Sequence, residues 1–184
     1  MKKYFVPAIL LTLMGTGCGS RDFRGDRFLR VHAHTASLTV SRGVRSIDAG
    51  HLRSLMTRRH GKFLVLNFWA TWCLPCVHEI PDLARIARAY RDSSIEVVGV
   101  SLDDPEDRDA KLVPFIRANR IPYRIYLAQF EHQDAFINSI DSTWNGAIPA
   151  TVLYDTLGQM KGFIVGEQTY DQFKHDVDHL RSGS

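Results

Sequence analysis

Two cysteines separated by two residues, Cys73 and Cys76, stand where an apolar strand hands over to a helix, and this junction constrains the chain more than any other stretch. Upstream, bounded by Gly61, runs Phe63-Leu64-Val65-Leu66; downstream, Ile80, Leu83, Ala84 and Ala87 recur at helical spacing. A strand therefore ends, a tight turn presents the pair, and a helix begins at or just after Cys73. Cysteines so spaced close a small disulfide or open to a dithiol. The same spacing serves as half a zinc site, but zinc needs a second ligand pair, and the chain has no second Cys-x-x-Cys or Cys-x-x-His. Redox chemistry is the better reading. A thiolate at a helix N-terminus meets unsatisfied backbone N–H groups and the positive end of the helix dipole, which lowers its pKa. Cys73 takes that place and reads as the attacking thiolate. Cys76, one turn deeper, reads as the resolving thiol. Pro75 fits the first helical turn, which has no intrahelical N–H bond to lose.

The run Phe68-Trp69-Ala70-Thr71-Trp72-Cys73-Leu74-Pro75-Cys76 resembles a thioredoxin active site. With Glu79 three residues after Cys76, and Pro81 where that family kinks its active-site helix, it resembles the membrane-anchored TlpA/ResA-like thiol–disulfide oxidoreductases of bacterial envelopes. The resemblance runs from about residue 64 to about residue 166. It implies a thioredoxin fold: an α/β domain with a mixed central sheet, helices on both faces, an N-terminal extension and an insertion before the cis-proline loop. It also implies that the segment Ile148-Pro149 is that loop and that a substrate chain docks along Trp72, Ile148 and Pro149 like an added strand. Leu74 and Pro75 would help to set the potential, and the redox-active disulfide Cys73–Cys76 would be the only redox group, with no added cofactor or metal. Thioredoxin carries a buried Asp where this chain has Asn67, and an amide cannot accept a proton. Glu79 shares a helix face with Cys76, beside Ile80 and Leu83. It reads either as a general base that takes the proton of Cys76 or as an idle acid favoured by the helix dipole. Spacing leaves the two even; the resemblance favours the base.

Length and composition fit one globular domain plus a leader: 184 residues, 45% hydrophobic and 23% charged. A net charge of +3, with basic residues scattered among acids, argues against a nucleic-acid partner. Lys2 and Lys3 precede an apolar run over residues 6–14, too short to span a bilayer, and then Gly15-Thr16-Gly17-Cys18. This resembles a bacterial lipoprotein signal, cut before a cysteine that becomes lipid-modified, with Gly15 where a Leu is usual. Ordinary secretory cleavage leaving a free Cys18 is the alternative. The expected organisation is a signal peptide over 1–17, a lipid-anchored flexible spacer over 18–36 and a thioredoxin-like domain over 37–184. The protein would be periplasmic or otherwise extracytoplasmic, anchored to a bacterial membrane through lipid on Cys18. By the resemblance, its partners are disulfide-containing exported proteins and a membrane electron donor that re-reduces it, with cytochrome c maturation the commonest client process.

Periodicity predicts helices near 49–58, 73–91, 110–119, 131–140 and 170–181, the first capped by Asp48. Strands are predicted near 62–68, 95–101 and 123–127, with a hairpin of 151–155 and 160–165 turning at Gly158 and an added edge strand within 31–40. The acids of residues 103–107 read as a solvated loop and a helix N-cap region; a cation site is the alternative, but nothing in the sequence fixes its geometry. His175 with His179, and His32 with His34, share faces but lack a third ligand and read as exposed; His78 either tunes Cys73 or faces solvent. A rival function is a copper-handling thiol chaperone of the envelope, with both sulfurs as soft ligands. Copper chaperones of this fold usually space their cysteines by three residues and add a distal His, which this chain does not match.

Overall fold

The computed structural model describes residues 43–183. The leader, Cys18, the spacer, His32, His34 and the edge strand expected within 31–40 lie outside those residues. In chain order the elements are β1 (Arg45–Ile47), α1 (Ala49–Thr57), β2 (Phe63–Trp69), α2 (Leu74–Ala89), β3 (Ile95–Ser101), α3 (Val113–Ala118), β4 (Arg124–Ala128), α4 (Gln133–Ile140), β5 (Ala150–Tyr154), β6 (Met160–Val165) and α5 (Tyr170–Ser182). A short 3-10 turn (Pro105–Asp107) and a π-helical turn (Arg108–Leu112) lead into α3.

Six strands form one mixed sheet in the order β1-β4-β3-β2-β5-β6. β1, β4, β3 and β2 run parallel; β5 is antiparallel to β2, and β6 to β5. All seven residues of β2 are buried, as a strand covered on both faces requires. Phe63, Val65 and Trp69 pack with Ile80 and Leu83 of α2, Ile116 of α3, and Phe173 and Val177 of α5. Leu64, Leu66 and Phe68 pack on the other face with Leu52 and Met56 of α1, Phe136 and Ile140 of α4, and Trp144. The alternation leaves one polar residue in the strand, Asn67, on the face that receives α2. The expected mixed sheet with helices on both faces is the one observed. The edge strand β1 escaped the sequence reading because three residues are too few to show a period of two.

This topology gathers three chain ends. β2 and β3 finish in register, Trp69 beside Ser101, and the Leu102 N–H donates to the Trp69 carbonyl at 2.8 Å. β5 starts at Ala150 opposite Phe68. The turn after β2, the turn after β3 and the loop before β5 therefore meet at one end of the sheet. No described helix is long and apolar enough to cross a membrane.

Candidate redox site

Cys73 is the N-cap of α2: its backbone is extended, and its sulfur accepts the Cys76 N–H at 3.3 Å. The two sulfurs are joined in a disulfide, with Cα atoms 5.2 Å apart. Cys73 retains 6% of its surface and Cys76 none, so an attacking group reaches the first sulfur before the second. Trp72 and Leu74, 67% and 65% exposed, flank Cys73 with apolar surface that the core does not use. Pro75 occupies the first turn of α2 and faces solvent, and Pro81 lies inside the helix. Across from the dithiol, the Ile148–Pro149 peptide is cis, and the Ile148 carbonyl oxygen lies 3.6 Å from the Cys73 sulfur. The Gly166 N–H donates to the Pro149 carbonyl at 2.8 Å, holding this loop to the end of β6. The residues expected to bind a substrate chain, Trp72, Ile148 and Pro149, thus come together around Cys73.

Glu79 is buried, 1% exposed, one helical turn past Cys76. Its Oε1 accepts from Asn67 Nδ2 at 2.8 Å, and its Oε2 accepts the backbone N–H of Gln168 at 3.1 Å. Asn67 Nδ2 also donates to Thr151 Oγ1 at 3.1 Å. Gln168 is held in turn through Nε2, which donates to Asp176 Oδ2 at 2.7 Å. Burial pushes the Glu79 carboxyl up to about 7; the two hydrogen bonds oppose that rise and the nearby charge of Glu167 adds to it. A carboxyl poised there exchanges protons near neutral pH. Burial, with the Glu79 charge second, also raises the phenol of Tyr123.

Two readings from sequence are settled or corrected in detail. His78 is exposed, with Nδ1 3.7 Å from Glu167 Oε2, rather than turned onto the dithiol. Of the acids expected in a solvated loop, Asp103 is buried, 3% exposed, and its oxygens accept the Thr71 N–H at 3.1 Å and the Thr71 hydroxyl at 2.5 Å. Asp104 does cap the 3-10 turn, accepting the Glu106 N–H at 2.8 Å. The signal that marks Asp103 is its place two residues beyond the end of a buried strand, beside the turn that carries Cys73. His175 and His179 stack on the exposed face of α5 with ring centroids 6.4 Å apart. Among the described residues no group of three or more His, Cys, Asp or Glu gathers as a metal site.

Comparison with known proteins agrees with this geometry. The pattern of the AhpC/TSA family matches residues 46–162. The thiol-disulfide oxidoreductase ResA of Geobacillus thermodenitrificans is 28% identical over 126 residues, covering 68% of this chain and 67% of that protein. Among solved structures, a thiol:disulfide interchange protein of the thioredoxin family from Chlorobium tepidum superposes with a TM-score of 0.56 at 25% identity, over 66% of this chain and 81% of the other. StoA from Bacillus subtilis superposes with a TM-score of 0.50 at 27% identity, over 62% of this chain and 81% of the other.

Proposed function

This chain belongs to the AhpC/TSA family and is a thiol–disulfide oxidoreductase, and we propose that it works as a reductase of disulfides in exported proteins. The observation that carries this reading is the Cys73 sulfur, capping α2 at the surface between exposed Trp72 and the Ile148–Pro149 loop, with Glu79 buried behind Cys76. In the reduced form, the Cys73 thiolate attacks one sulfur of the partner's disulfide. That S–S bond breaks, a mixed disulfide forms, and the partner's other sulfur leaves as a thiolate. Glu79 takes the proton of Cys76. The Cys76 thiolate attacks the Cys73 sulfur, the partner departs as a dithiol, and two electrons have passed to it. The partner's chain lies along Ile148-Pro149, with Trp72 and Leu74 covering its apolar side chains.

Resetting the Cys73–Cys76 disulfide takes an outside two-electron donor. In an extracytoplasmic compartment that donor is a membrane protein, and lipid on Cys18 would keep the domain beside it. Cytochrome c maturation, in which exported thiols must be reduced before haem attachment, is a process that such a reductase serves.

Trapping tests the reading. Cys76→Ser removes the resolving thiol and leaves the attacking one, so a disulfide-bonded protein substrate accumulates as a mixed disulfide with Cys73. Cys73→Ser should trap nothing. A mixed disulfide that forms through Cys76 in place of Cys73 would reverse the assigned roles.

A further inference from the structure

Cys73 caps α2 only if the three residues before it hold their turn, and that turn has one strong anchor outside itself. Thr71 is gripped by Asp103: both carboxylate oxygens lie 3.1 Å from the Thr71 nitrogen, and Oδ1 accepts the Thr71 hydroxyl at 2.5 Å. Ser101, the last residue of β3, donates from Oγ to Asp103 Oδ2 at 2.6 Å and accepts the Asp103 N–H at 3.1 Å. Asp103 and Ser101 are 3% and 0% exposed. Among the described residues no Lys, Arg or His lies within ion-pair distance of this carboxylate, so hydrogen bonds are its direct partners, with the Lys111 charge acting on it from farther away. A buried carboxylate held that way is costly unless every oxygen is satisfied, and here each one is. The grip complements a weaker contact inside the turn, Cys73 N–H to the Ala70 carbonyl at 3.2 Å.

We infer that Asp103, through Thr71, is a positioning residue for the redox reaction: it sets the turn that keeps the Cys73 sulfur on the N-terminus of α2. Asp103 touches neither sulfur nor substrate. It acts by fixing Ala70-Thr71-Trp72 against the end of β3, so that Trp72 points outward and the Cys73 sulfur lies against the Cys76 N–H. With the grip lost, Cys73 leaves the helix end for part of the time and its thiolate loses the N–H groups and dipole that favour it. The sign follows. A less stabilised thiolate means a higher Cys73 pKa, slower reaction at pH 7, and a reduced form that gives up its electrons more readily, hence a more negative potential.

The test compares wild type with Asp103→Ala, Asp103→Asn and Thr71→Val. The readouts are the pH profile of Cys73 alkylation in the reduced protein and the potential of the Cys73–Cys76 couple. Asp103→Ala should slow alkylation at pH 7 by roughly tenfold and move its profile to higher pH. Thr71→Val, which keeps the backbone N–H, and Asp103→Asn, which keeps one acceptor, should move both readouts part of the way. A merely structural role would lower Tm and leave the alkylation profile and potential where they are in wild type. That result in the folded variants would overturn the inference, and if Asp103→Ala fails to fold, Thr71→Val carries the same test. The inference rests on Cys73 as the attacking thiol. Alkylation needs no protein substrate, so a failed clamp and a failed trapping experiment remain distinguishable.

Discussion

Glu79 shows how much depends on partners that lie far away in the chain. Its carboxyl is raised to about 7 from an ordinary 4.5, with burial as the first cause. A carboxyl raised in the folded state is held protonated there while the unfolded chain has already ionised, so stability falls as pH rises from about 4.5 through about 7. That shift corresponds to about 3 kcal/mol at pH 8. Glu79→Gln should therefore be more stable than wild type at pH 8 and close to it at pH 4, measured by denaturant unfolding of the disulfide form. The same variant should slow release of the mixed disulfide by about 10²-fold, the order that general-base catalysis contributes. Asn67→Asp would set a second carboxyl 2.8 Å from Glu79 Oε1, and the two would share a proton. Its stability should drop further than that of wild type between pH 5 and pH 8. The motif made Cys73, Cys76 and Glu79 legible in the sequence. Their supports were not, because Thr151 and Gln168 lie 84 and 89 residues from the groups they meet, and no local pattern links them.

Elements were read more fully than the contacts that join them. The β2, β3 and hairpin strands and the α1, α2 and α5 helices follow from period, with the Asp48 cap bearing out α1 by accepting the His51 N–H at 2.7 Å; the structure adds a Thr169–Gln172 capping box to α5. Arg59 was invisible, since a lone basic residue in a turn reads as solvated. It is 3% exposed and ties α1 to the sheet, donating to the carbonyls of Leu55 at 2.6 Å and Lys62 at 3.2 Å and to Glu96 Oε2 at 2.8 Å. Removing the carboxylate leaves a buried guanidinium without its counter-charge, so Glu96→Ala should cost about 2–3 kcal/mol, at the low end for buried pairs because Glu96 keeps some solvent contact. Chemical denaturation checks this, and Glu96→Asp should recover part of the loss. Helix α4 has a comparable hidden role. Phe136 and Trp144 pack on Phe68 at ring-centroid distances of 5.7 and 5.2 Å, and Trp144 Nε1 donates to the Ala147 carbonyl at 2.9 Å. This packing thereby braces the segment that leads into Ile148-Pro149.

Across the described domain, charges scattered in sequence are partly sorted in space, although Lys111 pairs with Asp107 at the dithiol end and Arg181 lies near Asp178 at the other. Parallel strand–helix units place helix C-termini and strand starts at one end of the sheet, where the last turns of α2, α3 and α5 carry Arg88, Arg117, His179 and Arg181. The contacts from Arg88 Nη2 to the Arg120 carbonyl at 3.1 Å and from the Phe63 N–H to the Ser94 carbonyl at 2.9 Å bring these turns together with exposed Lys62. The opposite end, where the dithiol sits, carries exposed Asp104, Glu106, Asp109 and Glu167. The near-balance of residues 43–184, 16 Lys and Arg against 18 Asp and Glu, conceals this polarity, because it adds the two ends. Disulfide peptides flanked by Lys should therefore react faster with the reduced protein than the same peptides flanked by Glu. Stopped-flow rates should differ by at least about fivefold at low salt and converge near 1 M salt, where the screening length is about 3 Å. The claim at the centre of this account is that the Cys73–Cys76 couple delivers electrons, and its reduction potential, measured by equilibration with glutathione or dithiothreitol buffers, tests that most directly. A value near thioredoxin's, about −270 mV, is the predicted result; a value near −120 mV would make the couple an oxidant and contradict it.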